Sequence, residues 1–283
     1  MTTPWIVGIR FRPVGKIYHY DASCCPDLQV GDFVLVPSRR GTQLGEVVQV
    51  FSEPPEPPEE GWRAVLRKAT GRDLTLRRLI RQRELQALLT ARQKARELGY
   101  QDLKLVEAEI SFDGRYLTFL YGVEGNNKVE LHRLHSALAR KFPRRQVEFR
   151  RLGPRDVAKL LPGMGACGRE VRCCAEFLTD FSPVSIKMAK VQGVSLTPSE
   201  ITGMCGRLRC CLVYEYEQYA EAAKHLPKRK KRVQTPLGNG KVVDVYPLKG
   251  TVLVALEDGA VHEFSGEEVT LRQATTPQQQ QTS

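Results

Sequence analysis

Two short cysteine motifs limit what this chain can fold into more than any other feature of its sequence. ACGREVRCC spans residues 166–174 and MCGRLRCC spans residues 204–211, and these stretches hold six of the eight cysteines. Each copy begins with Cys-Gly-Arg and ends in a Cys-Cys pair, and the first copy has one more residue between them. Two near-copies indicate a shared purpose, so we expect the fold to bring them together around one centre.

The cysteine spacing favours an iron–sulfur cluster over a single zinc ion. Structural zinc sites are usually built from Cys-x2-Cys pairs with four ligands in total, and neither copy has that spacing. A cluster is larger than an ion and takes thiolates at wider and less regular spacings. We therefore predict an iron–sulfur cluster, with zinc as the alternative cofactor. The candidate ligands are Cys167, Cys173, Cys174, Cys205, Cys210 and Cys211.

The residues around these cysteines suit a negatively charged cluster. Each copy is predicted to enter a helix after its glycine, over 169–178 and 207–226, which places the first cysteine just before a helix N-terminus. Amides and the helix dipole stabilise a thiolate there. Adjacent cysteines diverge by about 100° on a helix, so one of each pair is expected to ligate and the other to be buried or to serve a second cluster. The predicted cluster environment, in which glycines allow close approach and arginines offset charge, is Gly168, Arg169, Gly206 and Arg207.

Two other interpretations of the repeat stay open at this stage. Free cysteines often behave as small buried hydrophobic residues. A vicinal-dithiol redox enzyme is the other alternative, although such enzymes usually carry a Cys-x-x-Cys motif that this chain lacks. Cys24 and Cys25 lie in a predicted loop outside the repeat, where exposed incidental thiols are the default expectation. The chain has none of the H-E-x-x-H, G-x-S-x-G or P-loop patterns, so we expect no enzyme activity.

The patterns along the chain predict an α+β protein of several parts. Residues 1–51 contain short apolar runs typical of a small β-barrel-like domain, and a Pro- and Glu-rich linker follows over 52–62. Residues 63–163 have the order α-β-β-α-β-α, which predicts a basic α+β sandwich with helices on one face of a three-stranded sheet. The remaining predicted parts are a helical, cysteine-rich segment at 164–226, a basic run and β meander at 227–270, and a disordered tail at 271–283.

The positive charge is concentrated in the middle of the chain. The net charge is +11, and residues 61–166 alone carry 23 basic and 11 acidic side chains. Such a surface favours a polyanion partner, with RNA the first candidate, or else it is a solvated face. The candidate contacts are Arg140, Lys141, Arg144, Arg145, Arg150, Arg151 and Arg155. His135 is expected to be packed or hydrogen-bonded rather than a metal ligand.

The N-terminus and the length of the apolar runs bear on location. MTTPWIVGIRFRP has arginines within its apolar stretch and no small-residue cleavage site, which argues against a signal peptide. No apolar run approaches the roughly 20 residues that a bilayer crossing needs. We therefore expect a cytoplasmic protein with reduced thiols and no membrane insertion.

The cysteine region resembles a known bacterial family. LLPGMGACGREVRCCAEF, VSIKMAK and CGRLRCCLVYE are similar to the signature region of the YaaT/RicT family, part of the polymerase-suppressor-protein C-terminal-domain superfamily. VGIRFRPVGKIYHYD and VGDFVLVPSRRGTQLGEVV, near the N-terminus, fit the same family. The resemblance therefore covers most of the chain.

The resemblance implies a non-enzymatic cytoplasmic regulator. Family members associate with two small helical partners, YlbF and YmcA, and direct the endoribonuclease RNase Y in mRNA processing. In spore formers they also influence the sporulation phosphorelay. The complex carries iron–sulfur clusters of the four-iron type, and the family's ligand motifs match the six repeat cysteines here. The extra residue in the first copy leaves open which of Cys173 and Cys174 ligates.

Overall fold

The computed structural model describes residues 5–12, 15–53, 55–123 and 129–271. The chain divides into two compact units, one of residues 1–180 with 204–206 and one of residues 181–203 with 207–283. The predicted tail lies, from residue 272 onward, outside the described residues. Within those ranges, no helix combines the length and apolar character that a bilayer crossing requires. The mixed α+β class is confirmed.

The first unit begins with an antiparallel five-stranded sheet. Its strands are β1 (Ile6–Arg10), β2 (Tyr18–Asp21), β3 (Phe33–Ser38), β4 (Gly41–Val50) and β5 (Arg67–Lys68), in the order β2-β1-β4-β3-β5. Its core contains Val7, Ile9, Val34, Val36 and Val47.

This sheet forms no closed barrel among the residues described, so the barrel-like prediction is wrong in that respect. Its edge strands β2 and β5, of four and two residues, are not paired with each other. The chain instead connects the edges through two backbone hydrogen bonds. Asp21 donates its N–H to the Arg63 carbonyl at 2.9 Å, and its own carbonyl accepts from Val65 at 2.7 Å.

A three-stranded sheet with helices on both faces forms the rest of the first unit. The strands are β6 (Leu103–Ile110), β7 (Tyr116–Val123) and β8 (Gln146–Arg151), with β7 antiparallel to β6 and parallel to β8. Helices α1 (Gly71–Glu97) and α2 (His132–Lys141) cover one face over Leu117 and Phe119. Helix α3 (Pro154–Leu160) packs on the other, where a Cβ added at Gly122 would lie 2.8 Å from Val157 Cγ2. The order of elements is the predicted one, but the prediction of helices on one face only is wrong, because Gly122 leaves room for α3 on the second face.

Helix α1 starts earlier than its apolar pattern suggests. The periodicity predicts a start at Asp73, whereas the helix begins at Gly71 with Thr70 as the N-cap. Thr70 and Asp73 form a capping box, in which each side chain accepts a hydrogen bond from the other residue's backbone N–H. Gly99 directly follows the periodic run, which predicts the end of the helix there, and it has a φ of +80° in the left-handed region.

The two sheets of the first unit are joined at the β6–β7 hairpin. The turn lies at Asp113-Gly114, a residue pair that predicts a hairpin from the sequence, and Gly114 has a φ of +74°. The Phe112 N–H donates to the Thr42 carbonyl at 2.8 Å, and Asp113 accepts the Thr42 N–H at 3.4 Å. Arg40 Nε lies 3.0 Å from Glu148 Oε2. Backbone and ionic contacts therefore both connect the sheets.

The second unit combines short helices with a further five-stranded sheet. The helices are α5 (Ile186–Val191), α6 (Pro198–Ile201), α7 (Cys211–Tyr214) and α8 (Tyr216–Lys224); α4 (Cys173–Glu176) belongs to the first unit. The strands are β9 (Arg232–Thr235), β10 (Gly238–Tyr246), β11 (Thr251–Leu256), β12 (Val261–Ser265) and β13 (Thr270–Leu271), in the order β12-β11-β10-β9-β13. The run β9 to β12 is a meander, and its core contains Val233, Val242, Val252 and Val254.

Candidate metal centre

Each copy of the cysteine motif folds into the same turn around its first cysteine. In the first copy, the Gly165 N–H donates to the Arg169 carbonyl at 2.8 Å. In the second copy, the Gly203 N–H donates to the Arg207 carbonyl, also at 2.8 Å. The duplicated unit is therefore Gly-x-Cys-Gly-Arg, with a glycine two residues before the cysteine that the sequence analysis did not include.

The glycine after each first cysteine is required by the backbone. Gly168 has a φ of +84° and Gly206 a φ of +73°. Residues with a Cβ rarely adopt these values, because the Cβ then crowds the following carbonyl oxygen. The turn therefore explains the Cys-Gly pairing.

The predicted helix starts are wrong. The helices begin at Cys173 and Cys211, not directly after the glycines. The carbonyls of Arg169 and Arg207 would have to accept from these two cysteines to begin a helix earlier, but each accepts from the glycine that closes its turn. The Cys-Cys pairs, not the first cysteines, therefore lie at the helix starts.

Four of the six repeat cysteines belong to the first unit. They include Cys205 of the second copy, whereas Cys210 and Cys211 belong to the second unit. The Cys174 side chain is buried, and this burial raises the pKa of its thiol. The nearby Arg172 guanidinium lowers that pKa, and the thiols of Cys205 and Cys173 raise it further. Cys205 therefore lies within electrostatic range of Cys174, from the other copy.

Arg169 lies beside the cysteines of the first copy. Its guanidinium donates to Glu176 at 2.7 Å and lies 5.7 Å from the centre of the Phe177 ring. The pKa of Arg169 is raised, chiefly by this bond to Glu176 and also by the thiols of Cys173 and Cys167. The positive charge of Arg169 therefore lies near the thiols of Cys173 and Cys167, and its hydrogen bond to Glu176 fixes its position.

An arginine that the sequence predictions did not include precedes the Cys-Cys pair in both copies. Arg172 donates a hydrogen bond to the Leu161 carbonyl at the end of α3. Arg209 Nη2 donates to the Ser199 carbonyl in α6 at 2.7 Å. Each arginine thus connects its cysteine pair to the short helix before it, and both of these helices have proline at their start. Both copies contain the sequence Arg-Cys-Cys, and this repetition could have indicated that the arginine has a role.

The first unit brings thiols of both copies together without defining a metal site. Among the described residues, no group of three or more His, Cys, Asp or Glu side chains is placed to hold a metal ion. The identity of the cofactor and of its ligands therefore stays a prediction. Thiols with a neighbouring arginine are nevertheless the donor set that an iron–sulfur cluster uses.

The predicted basic contacts fall into two groups. Arg140 and Lys141 lie in the last turn of α2, and Arg144 and Arg145 follow in the loop before β8. The second group lies at the far end of β8, about 20 Å away at the usual rise per residue. Its members are Arg150, Arg151 and Arg155.

Contacts outside this segment extend the first group. Arg83 of α1 is close enough to help lower the pKa of Arg145, whose partial burial is the larger cause. Glu148 is an acidic residue among these arginines in the sequence, and its carboxylate forms an ion pair with Arg40. His135 is hydrogen-bonded, as expected, with its Nε2 3.0 Å from the Val147 carbonyl oxygen.

Comparisons with known proteins connect the chain to one family. Residues 63–152 match the PSP1 C-terminal conserved region, and residues 183–226 match the third domain of PSP1-like proteins. The chain is 38% identical over 266 residues to the stage 0 sporulation protein YaaT of Bacillus subtilis strain 168. That alignment covers 93% of this chain and 94% of the relative. No solved structure matches the chain.

Proposed function

The chain belongs to the YaaT/RicT family of PSP1 proteins, and from this premise we propose that it is a non-enzymatic cytoplasmic regulator that binds an iron–sulfur cluster. In this proposal it acts with small helical partners like YlbF and YmcA to direct mRNA processing by RNase Y. The relative is named for sporulation, which supports a related regulatory role if the host forms spores.

One observation carries the cluster proposal. Cys205, from the second copy, belongs to the same compact unit as Cys167, Cys173 and Cys174, and it acts electrostatically on Cys174. A four-iron cluster usually takes four thiolates. Cys167, Cys205 and one of the adjacent Cys173 and Cys174 would supply three of them. Had the repeat been six buried hydrophobic residues, we would expect all six side chains to be buried, but Cys174 alone is buried and Cys167 is exposed.

The surrounding residues have separate roles in this proposal. The turns hold Cys167 and Cys205, while Arg172 and Arg209 hold the two Cys-Cys pairs against the preceding helices. Arg169 supplies positive charge beside the thiols. A bound cluster would crosslink its thiolates, so its loss would release the segments that carry them.

Anaerobic purification followed by metal analysis tests the cofactor. We expect a brown protein that contains iron and absorbs near about 400 nm through thiolate-to-iron charge transfer. Stoichiometric zinc in a colourless protein would instead support a zinc-stabilised module. A metal-free protein whose thiols turn over a disulfide substrate would support a thiol-redox enzyme and contradict the proposal.

We also propose that the basic groups bind RNA. Arg140, Lys141, Arg144 and Arg145 lie in or directly after the last turn of α2, with Arg83 close to Arg145. Clustered arginines gain affinity by displacing counterions from phosphates. We favour the first group as the main RNA contact because Arg83 of α1 adds positive charge near Arg145.

Two matched double variants test this surface. Arg144→Ala with Arg145→Ala is expected to weaken binding of a single-stranded RNA, and to reduce the slope of log affinity against log salt by about 0.7 for each phosphate that is no longer neutralised. Arg150→Ala with Arg151→Ala removes the same charge and should have the smaller effect. Fluorescence anisotropy at several salt concentrations measures both. If neither variant changes affinity or slope, the face is solvated or docks a protein.

A further inference from the structure

Cys24 and Cys25, outside the repeat, form a close pair of thiols. Their Sγ atoms lie 3.3 Å apart, in the loop between β2 and β3. Neighbouring side chains in a chain usually diverge, so this approach needs an explanation in the surrounding contacts. Both residues belong to the first unit and are free cysteines.

Separate contacts hold the two cysteine side chains. Asp21 accepts hydrogen bonds from the Ser23 N–H at 2.9 Å and the Ser23 hydroxyl at 2.5 Å, and the Cys25 N–H donates to the Ala22 carbonyl at 2.8 Å. These bonds form a tight turn. Cys25 packs against the core of the first sheet, while Cys24 Sγ donates to the Val65 carbonyl at 3.1 Å. The pair is therefore organised before any ligand arrives.

One side of this pair is open to solvent. Cys24 is exposed and Cys25 is half-buried. Neither side chain is fully buried, so the proposed site is open to a ligand from solvent. Among the described residues no third His, Cys, Asp or Glu joins them in a metal-binding group. The protein therefore offers a ligand two sulfur atoms at this site.

The sulfur separation selects between ligand classes. A linear two-coordinate metal ion requires its sulfurs on opposite sides, which a 3.3 Å separation does not allow. A trivalent arsenical forms two As–S bonds close to a right angle to one another, and so bridges sulfurs that lie side by side. Peroxide oxidation to a disulfide requires a thiolate. That route is disfavoured, because desolvation and the hydrogen bond to Cys25 raise the pKa of Cys24.

We propose that Cys24 and Cys25 form a dithiol site for monosubstituted trivalent arsenicals, separate from the cysteine repeat. Two As–S bonds form and two As–O bonds break. Each thiol proton leaves with one of the displaced hydroxyl groups as water, and arsenic stays trivalent. Binding ends the Cys24 contact with the Val65 carbonyl. The inference does not depend on the proposed cluster.

Phenylarsine oxide, which hydrates to such an arsenical, is the probe for this site. The full-length protein is treated with one equivalent, alkylated with iodoacetamide, digested and analysed by mass spectrometry. We expect Cys24 and Cys25 to be protected together, and the protection to be reversed by a small dithiol but not by the same concentration of glutathione. A second sulfur attached to the same site raises affinity by about 100-fold or more.

Single-thiol variants complete the test. In Cys24→Ser the hydroxyl can keep the bond to Val65, and in Cys25→Ala the packing loss is small, so both should fold with little change in Tm. Each is expected to bind the probe at this loop at least about 100-fold more weakly. Equal protection of the remaining cysteine in either variant would overturn the proposal, as would free alkylation of both thiols in the wild type. Protection confined to the repeat cysteines would also overturn it.

Discussion

Cys205→Ser is expected to lower the iron content of the anaerobically purified protein by more than about tenfold and to remove its absorbance near about 400 nm. Cys205 is the residue of the second copy that joins the cysteines of the first copy within one unit. Serine has nearly the same size, but its hydroxyl is a far poorer ligand for iron than a thiolate. Iron analysis, a visible spectrum and Tm on the same sample measure the effect.

The matched control is Cys24→Ser, the same exchange at a thiol outside the repeat. It should retain the iron and the spectrum of the wild type. The half-buried Cys205 side chain leaves the fold little changed on substitution, so near-ultraviolet circular dichroism should agree between the two variants. Full iron content in Cys205→Ser would exclude Cys205 as a ligand. Equal iron loss in both variants would show that the loss is not specific to the repeat and would contradict the prediction.

Asp73→Ala is expected to lower the free energy of unfolding by about 2–4 kcal/mol at pH 7, the combined cost of losing a cap and charged hydrogen bonds. Asp73 is buried, and its carboxylate accepts from Arg67 Nη1 at 2.6 Å and Nη2 at 3.0 Å. It also accepts from the Thr70 N–H at 2.7 Å. The substitution thus removes the contact that connects β5 to the start of α1. Urea unfolding followed by circular dichroism measures the change.

The same carboxylate predicts a pH dependence with a definite sign. The Arg67 guanidinium, with the Thr70 N–H, holds the pKa of Asp73 well below its usual range. Because the folded-state pKa is depressed, the ionised carboxylate stabilises the fold fully at pH values above the unfolded-state pKa of about 3.9. This stabilisation is lost as the pH falls toward the folded-state pKa. The stability difference between wild type and Asp73→Ala should therefore shrink below about pH 4.

Glu97→Gln is the control on the same helix. Its partner is Lys94 at 2.7 Å, and both side chains are more than 40% exposed. Exposed pairs of this kind contribute little, so the loss of stability should be much smaller than that of Asp73→Ala. If Asp73→Ala costs no more than Glu97→Gln, the cap and its ion pair do not stabilise α1.

Local patterns were enough to predict most of the secondary structure. The Asp-Gly signal at 113–114 predicted the β6–β7 hairpin, and Gly99 predicted the end of α1. Such features depend on neighbours in the chain, which the sequence shows directly. The starts of α4 and α7 were missed because a turn, closed by a hydrogen bond over four residues, takes the carbonyl that a helix would need. The basic stretch was found, but its division into two groups follows from the length of β8.

The sequence by itself determined the chemistry available to this protein: six thiols in two copies, glycines at the cysteine turns, and a basic middle region. It also carried the family resemblance that the comparisons confirmed. Only the tertiary structure decided which groups come near one another, namely Cys205 and Cys174, Arg83 and Arg145, and Cys24 and the Val65 carbonyl. The reason is physical, because each pair joins segments distant in sequence, and their approach depends on the packing of whole sheets and helices rather than on local backbone preference.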